Sequence, residues 1–269
     1  MHILLLYATT GKSTERLSRA LSERFVSGGH TVTQLDIRNA DPVCPSLFQG
    51  VDLIGIGSPV FHLRILDPMA RFLRTSLRYF GPSAKAFVFL TYGGISTGRA
   101  FLNVLNLLGR YGIGVVGGLK AVAPHFYAKT SFPDAAALDT VEAFCTMLDA
   151  NAFRVMPFNE AKRLFSYQRP AVRIVYPVAR LVGKLRRLPI RIDTDQCVSC
   201  GRCVRDCPVH ALGTQQRPVY DARKCIGCYR CTAVCANSAV ICPVEKVQDM
   251  VRVNKKLLGC EQPGNAFLL

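Results

Sequence analysis

The chain reads as an α/β protein, an open five-stranded parallel sheet of order 2-1-3-4-5 followed by a small α+β module built on metal-ligating cysteines. Three observations carry that reading. Short apolar runs alternate with amphipathic segments over residues 1–150, the strand-then-helix rhythm of crossover units. Eight of the twelve cysteines crowd between Cys197 and Cys235, and such clustering without a secretory signal points to metal ligation and away from disulfides. The length, 269 residues, suits one ordinary domain plus a small one.

The apolar runs predict strands at 2–8, 31–37, 52–57, 86–91 and 114–123, with helices at 13–27, 67–79, 98–111 and 133–151. Right-handed crossovers leave few ways to wind five such strands, hence the order. The N-terminal run lacks a basic flank and stops at Thr9-Thr10-Gly11, so it is a first strand and no signal peptide. Arg173, Arg180 and Lys184 interrupt the best candidate for the roughly 18–20 apolar residues of a membrane span. A soluble or peripheral cytoplasmic protein is expected, divided into a sheet domain (1–151), a basic helical linker (152–190), a cysteine module (191–245) and a C-terminal tail (246–269).

Between residues 151 and 191 stand ten basic side chains and one acid, Glu160, which supply +9 of the net +16. Arg169-Pro170 and Tyr176-Pro177 divide this stretch into two short basic amphipathic pieces. The plain reading is a solvated connector packed by its apolar side. The stripe Leu181, Val182, Leu185 and Leu188 also suits an anionic membrane surface, and the charge suits an acidic redox partner. No nucleic-acid motif or run of interleaved stacking aromatics accompanies the charge, so nucleic acid is not an expected partner.

The cysteines form two runs. Cys197, Cys200, Cys203 and Cys207, followed by Pro208, give CxxCxxCxxxCP, and Cys225, Cys228, Cys231 and Cys235 repeat the spacing before Ala236. Three thiolates at two-residue gaps converge on one cubane, and the fourth, further round the turn, ligates the other cluster. One cluster is therefore expected on Cys197, Cys200, Cys203 and Cys235, and a second on Cys225, Cys228, Cys231 and Cys207. Zinc ribbons also use CxxC pairs, but they have no use for the third cysteine or the duplication. The module is a two-cluster [4Fe-4S] ferredoxin of bacterial type. Cys44, Cys145, Cys242 and Cys260 lie outside the runs and read as small buried hydrophobes.

Strand one runs into Thr9, Thr10, Gly11, Lys12 and Ser13 and directly into a helix. Hydroxyls, a glycine and free amides at a helix N-terminus make an anion site. Gly11-Lys12-Ser13 mimics the end of a nucleotide-binding loop, but Leu6 stands where that loop needs its first glycine. The plainer alternative is that Thr10 or Ser13 merely caps the helix. Ser58, Pro59, Val60 and Phe61 after strand three, and Thr91, Tyr92, Gly93 and Gly94 after strand four, border the same point, where doubly wound sheets bind ligands. One phosphate and a flat heterocycle fit these three loops, and FMN is the natural candidate. His62 would stand near the ring.

These residues resemble the EFR-type flavodoxin/ferredoxin fusion family over residues 2 to about 245. The family's first loop usually reads Ser-Gly-Thr-Gly-Asn-Ser/Thr; here Thr10, Gly11 and Ser13 match, while Ala8 loses a hydroxyl and Lys12 replaces an amide with a cation. Ser58-Pro59-Val60-Phe61 and Thr91-Tyr92-Gly93-Gly94 are similar to its second and third loops, and all eight cysteines match. The resemblance implies a flavodoxin-like domain, FMN, and electron transfer in anaerobic metabolism with undefined redox partners.

Attachment to a nucleic acid or membrane surface through the basic stretch, with the clusters as a sensor, is the least supported of three functions, and two others lead. One is an electron carrier in which single electrons from the clusters meet a flavin able to take one or two. The other is a flavin-dependent reductase of a small molecule, with a pocket of His62, Leu63, Arg64, His125, Phe126 and Tyr127, and with Arg99 and Lys129 to hold an acidic substrate.

Overall fold

The computed structural model describes residues 1–81, 83–128, 130–168, 188–214, 217–258 and 264–269. Lys129 and most of the basic linker, including Leu181, Val182 and Leu185, lie outside the described residues.

Residues 1–150 fold as the apolar rhythm predicts. Strands β1 (His2–Tyr7), β2 (Thr31–Asp36), β3 (Leu53–Phe61), β5 (Lys85–Tyr92) and β6 (Gly114–Val122) pair in parallel in the order β2-β1-β3-β5-β6, which is the flavodoxin-like order. The middle strands are near-continuous apolar runs because both faces are covered. On one face Leu4, Leu6, Ile54, Ile56, Val88 and Leu90 pack beneath helices α2 (Asp67–Ser76) and α3 (Ala100–Arg110). On the other, Ile3, Leu5, Phe87, Phe89 and Leu119 meet α1 (Ser13–Ser27) and α4 (Ala135–Ala150). Asp134 caps α4, its carboxylate accepting from the Ala137 amide at 2.9 Å, as expected of an Asp at that position. One short linker helix, α5 (Phe158–Leu164), is described.

The structure differs from expectation in two places. Strand β3 continues past residue 57 to Phe61 and folds back on β4 (Arg64–Ile65), with Val60 opposite Ile65 and Phe61 opposite Arg64. The two-residue turn places His62 (φ 47°) and Leu63 (φ 63°) in the left-handed region, which a primed hairpin turn demands and non-glycine residues seldom supply. The sequence shows no Asn-Gly signal there, so nothing local announces the hairpin. Residues 246–269 also hold more than a tail. A helix, Val244–Leu258, is followed by a strand, Ala266–Leu268, that pairs antiparallel with β6 and covers that edge of the sheet.

The cysteine module carries two small antiparallel pairs, Val240–Ile241 with Arg191–Ile192 and Leu212–Thr214 with Pro218–Tyr220. Its core gathers Ile190, Cys203, Leu212, Tyr229, Val240 and Val247, and Phe126 and Tyr127 from the sheet domain pack against it. Among the described residues no helix is long and apolar enough to cross a membrane.

Candidate functional site

At the carboxyl ends of the parallel strands lies a cleft of about 250 Å³. Thr9, Thr10, Gly11 and Ser13 from the β1–α1 loop, Pro59, Val60 and Phe61 from β3, and Thr91, Tyr92 and Gly93 from β5 all face it. Three candidates do not line it. Lys12 is exposed in left-handed conformation at the N-cap of α1. Ser58 is fully buried, and its hydroxyl accepts from the Leu66 amide (3.0 Å) and donates to the Pro59 carbonyl (2.9 Å), which ties the hairpin to α2. Gly94 supplies a positive φ of 72° in the turn after β5.

The polar groups of the cleft fit a phosphate and a ring. No side chain caps α1, so its first amides are open toward the cleft, and neither Thr10 nor Ser13 is its cap. The Thr9 hydroxyl is buried without a hydrogen-bond partner among the described residues, and such an orphan calls for a ligand or water. Thr14 and Thr91 hydroxyls meet at 2.8 Å and join the first loop to the third. His125, after β6, lies so close over Gly93 that a Cβ there would stand 2.4 Å from its ring. His125 Nε2 is likewise buried and unpartnered among the described residues. Burial pushes its pKa below the usual histidine value, against a hydrogen bond to the Gly93 backbone, so the ring is neutral near pH 7.

The cleft has a further wall that the sequence did not reveal. Ile226, Gly227, Cys228 and Tyr229 of the second cysteine run face it, as do Val247, Met250 and Val251 of the C-terminal helix. The three apolar positions recur at helical spacing on one face, a signal visible in the sequence that did not say what the face meets. Ile226 packs against the core of the sheet domain, and the rings of Phe126 and Tyr229 lie 4.9 Å apart. Of the proposed substrate contacts His62, His125 and Phe126 line the cleft, whereas Leu63, Arg64, Tyr127 and Arg99 do not.

The eight cysteines surround two further cavities. Cys197, Cys200, Cys203 and Cys235 line one; Cys207, Cys225, Cys228 and Cys231 line the other. Each therefore takes three thiols from one run and the fourth from the other. Backbone amides already point at sulfur, Ala211 at Cys207 Sγ and Gly227 at Cys225 Sγ, both 3.2 Å. Burial, together with neighbouring thiols, pushes Cys228 and Cys231 up to about 12, a direction that a bound cation would oppose. Cys228 lines both its own cavity and the cleft between the loops.

A charge chain, buried at Arg230 and half-buried at Asp206 and Arg38, crosses from one module to the other. Arg230, 3% exposed, donates from Nη1 to the Thr10 carbonyl at 3.1 Å and from Nη2 to Asp206 at 3.4 Å. Asp206 also accepts from Arg38 at 3.3 Å, and Arg38 grips Asp36 at the end of β2. Burial works against ionisation of Asp206, but the two guanidinium groups outweigh it and hold its carboxyl below the usual range.

Residues 189–236 match the family model of a 4Fe-4S dicluster domain. No curated protein is significantly similar to the chain. Among solved structures, the rubredoxin oxygen:oxidoreductase of Desulfovibrio gigas aligns with 56% of this chain and 36% of its own at 19% identity and TM-score 0.48. The chain thus matches about a third of that protein's length. An archaeal flavodoxin aligns over 57% of this chain and 100% of its own at 16% identity and TM-score 0.47. Flavodoxin 1 of Bacillus cereus aligns over 56% of this chain and 98% of its own, at 16% identity and TM-score 0.45. The family match makes the cysteine module a 4Fe-4S domain, and the sheet it follows has the flavodoxin-like order.

Proposed function

We propose that the chain is an iron-sulfur flavoprotein that relays single electrons between two [4Fe-4S] clusters and FMN. Cys197, Cys200, Cys203 and Cys235 hold an outer cluster, Cys225, Cys228, Cys231 and Cys207 an inner one. The observation that carries the reading is Cys228, which lines both the inner cavity and the cleft.

The open amides of α1 with Thr9, Thr10 and Ser13 hold the phosphate, and the helix dipole favours its charge. Phe61 and Tyr229 offer aromatic faces to the ring, and neutral His125 presents an unpartnered ring nitrogen to it. Bound FMN supplies the capacity for one or two electrons. The inner module wall keeps water from the ring. Around the outer cavity Cys200 and Val198 are exposed, so redox partner proteins meet the relay there, and the basic surface suits acidic ones. The thiol chemistry belongs to a reducing cytoplasm.

A reductase of a small molecule is the second reading, favoured by His125 Nε2, which is free to bond a substrate in the cleft. Anaerobic purification with determination of iron, sulfide and flavin tests the main proposal. About eight iron and about eight sulfide with about one FMN per chain are expected; clusters without FMN would contradict it. Reoxidation by one specific metabolite, beyond dyes and redox proteins, would favour the reductase.

A further inference from the structure

Arg230 occupies an unusual place for a cation. It stands between Cys228 and Cys231 in sequence and lines the inner cavity, yet its guanidinium reaches the phosphate loop of the other module. A surface arginine in a CxxC gap would point to water. This one is buried, and its Nε has no hydrogen-bond partner among the described residues. Burying a guanidinium is costly unless the charge is used, and one aspartate, itself shared with Arg38, does not use all five donors.

Two consequences follow from the geometry. By binding the Thr10 carbonyl, Arg230 fixes the orientation of the peptide that leads into Gly11, and with it the loop amides. By standing permanently charged at the wall of the inner cavity, it favours the more negative, reduced state of whatever anionic cluster the four thiolates hold, since net charge and hydrogen bonding set cluster potentials.

We propose that Arg230 is a positioning residue that couples the two cofactor sites, shaping the FMN phosphate loop while raising the potential of the inner cluster alone. Sharing one side chain makes the sites thermodynamically linked: FMN occupancy shifts the inner potential, and inner-cluster reduction shifts FMN affinity by the same free energy. The inference rests on the cofactor assignment proposed above.

The test compares wild type, Arg230→Gln and Arg230→Lys, all purified anaerobically as full chains and checked for iron and sulfide. FMN affinity is read by fluorescence titration and cluster potentials by EPR-monitored redox titration. In Arg230→Gln, FMN affinity is expected to fall about tenfold or more, the effect of losing a charge-assisted hydrogen bond. One cluster potential moves to more negative values and the other stays. Arg230→Lys keeps the inner potential near that of wild type, since the charge remains, but loses FMN affinity because one ammonium cannot span Thr10 and Asp206 in the planar fork's geometry.

Unchanged FMN affinity and unchanged potentials in Arg230→Gln would overturn the coupling. If that variant loses iron, Arg230→Lys decides, and FMN binding as tight as wild type overturns it. A wild-type chain that holds clusters but no FMN would instead overturn the functional reading and this inference with it. Wild type with both cofactors and inert variants defeats the inference alone.

Discussion

Around the outer cavity Cys200 is exposed and Val198 is 65% exposed, whereas around the inner one Cys228 faces a cleft and Arg230 is 3% exposed. The ligand spacing of the two runs is the same. What separates them is the company they keep: the inner run carries Ile226, Tyr229 and Arg230, each of which touches the sheet domain, while the outer run carries Val198 and Ser199 exposed and reaches the sheet domain through Asp206, next to the inner ligand Cys207. Under the proposed function, the same ligand spacing would serve two tasks set by the residues in its gaps, contact with partners outside and contact with the flavin site inside.

Removing one ligand from each cavity separates the tasks most strongly. Cys197→Ala and Cys228→Ala are each expected to lower iron from about eight to about four per chain, but only Cys228→Ala should stop electrons from reaching FMN by way of the inner centre and loosen FMN itself. Variants that lose FMN alike, by fluorescence titration, would erase the distinction between outer and inner. Gly93→Ala acts on the flavin side alone. Its Cβ would meet the His125 ring at 2.4 Å, so FMN affinity should fall about tenfold or more with iron unchanged.

Smaller effects sharpen the same contrast. Tyr229→Ala loses the Phe126 ring contact and the hydrogen bond from its hydroxyl to the Leu188 carbonyl at 3.1 Å. Stability measured by anaerobic denaturant unfolding should drop by about 2–4 kcal/mol, whereas Val198→Ala at the outer rim should change it by less than about 0.5 kcal/mol. The smallest effect is one of pH. His125 binds its proton more weakly folded than unfolded, so the unfolded chain takes up the extra proton as pH falls below about 6.5. Stability present above that pH is lost as pH drops toward the lower folded value, and His125→Gln should lack this component of the melting profile.

The sheet could be read from the sequence because its signal is local: buried parallel strands are apolar runs such as Ile3–Leu6, and the crossover helices carry their own period. The two cysteine runs stand out in the sequence by their spacing, and the three loops that border the cleft by the hydroxyls, glycines and aromatics at the ends of apolar runs, although Lys12, Ser58 and Gly94 do not line it. Other features depended on contacts between distant residues. Pro59 inside a strand and the His62-Leu63 turn break the usual rules for a hairpin, which the antiparallel pairing to Arg64–Ile65 holds in place. The strand Ala266–Leu268 is too short to announce itself and exists because β6 offers an edge. Ser58 looked like a ligand contact and instead pins Leu66. Arg230 carries no sequence signal of its contact with Thr10, since nothing in a CxxC gap tells whether a side chain will meet water or another domain.

In the proposed function the inner cysteine site and the flavin cleft are adjacent parts of one relay. Its most direct test is rapid photoreduction of the anaerobic holoprotein, following cluster and flavin absorbance together at several protein concentrations. FMN is expected to be reduced in a first-order phase, independent of protein concentration, that follows cluster reduction and disappears in Cys228→Ala. A rate proportional to protein concentration, or one that survives in Cys228→Ala, would mean that electrons reach the flavin between molecules or by another route.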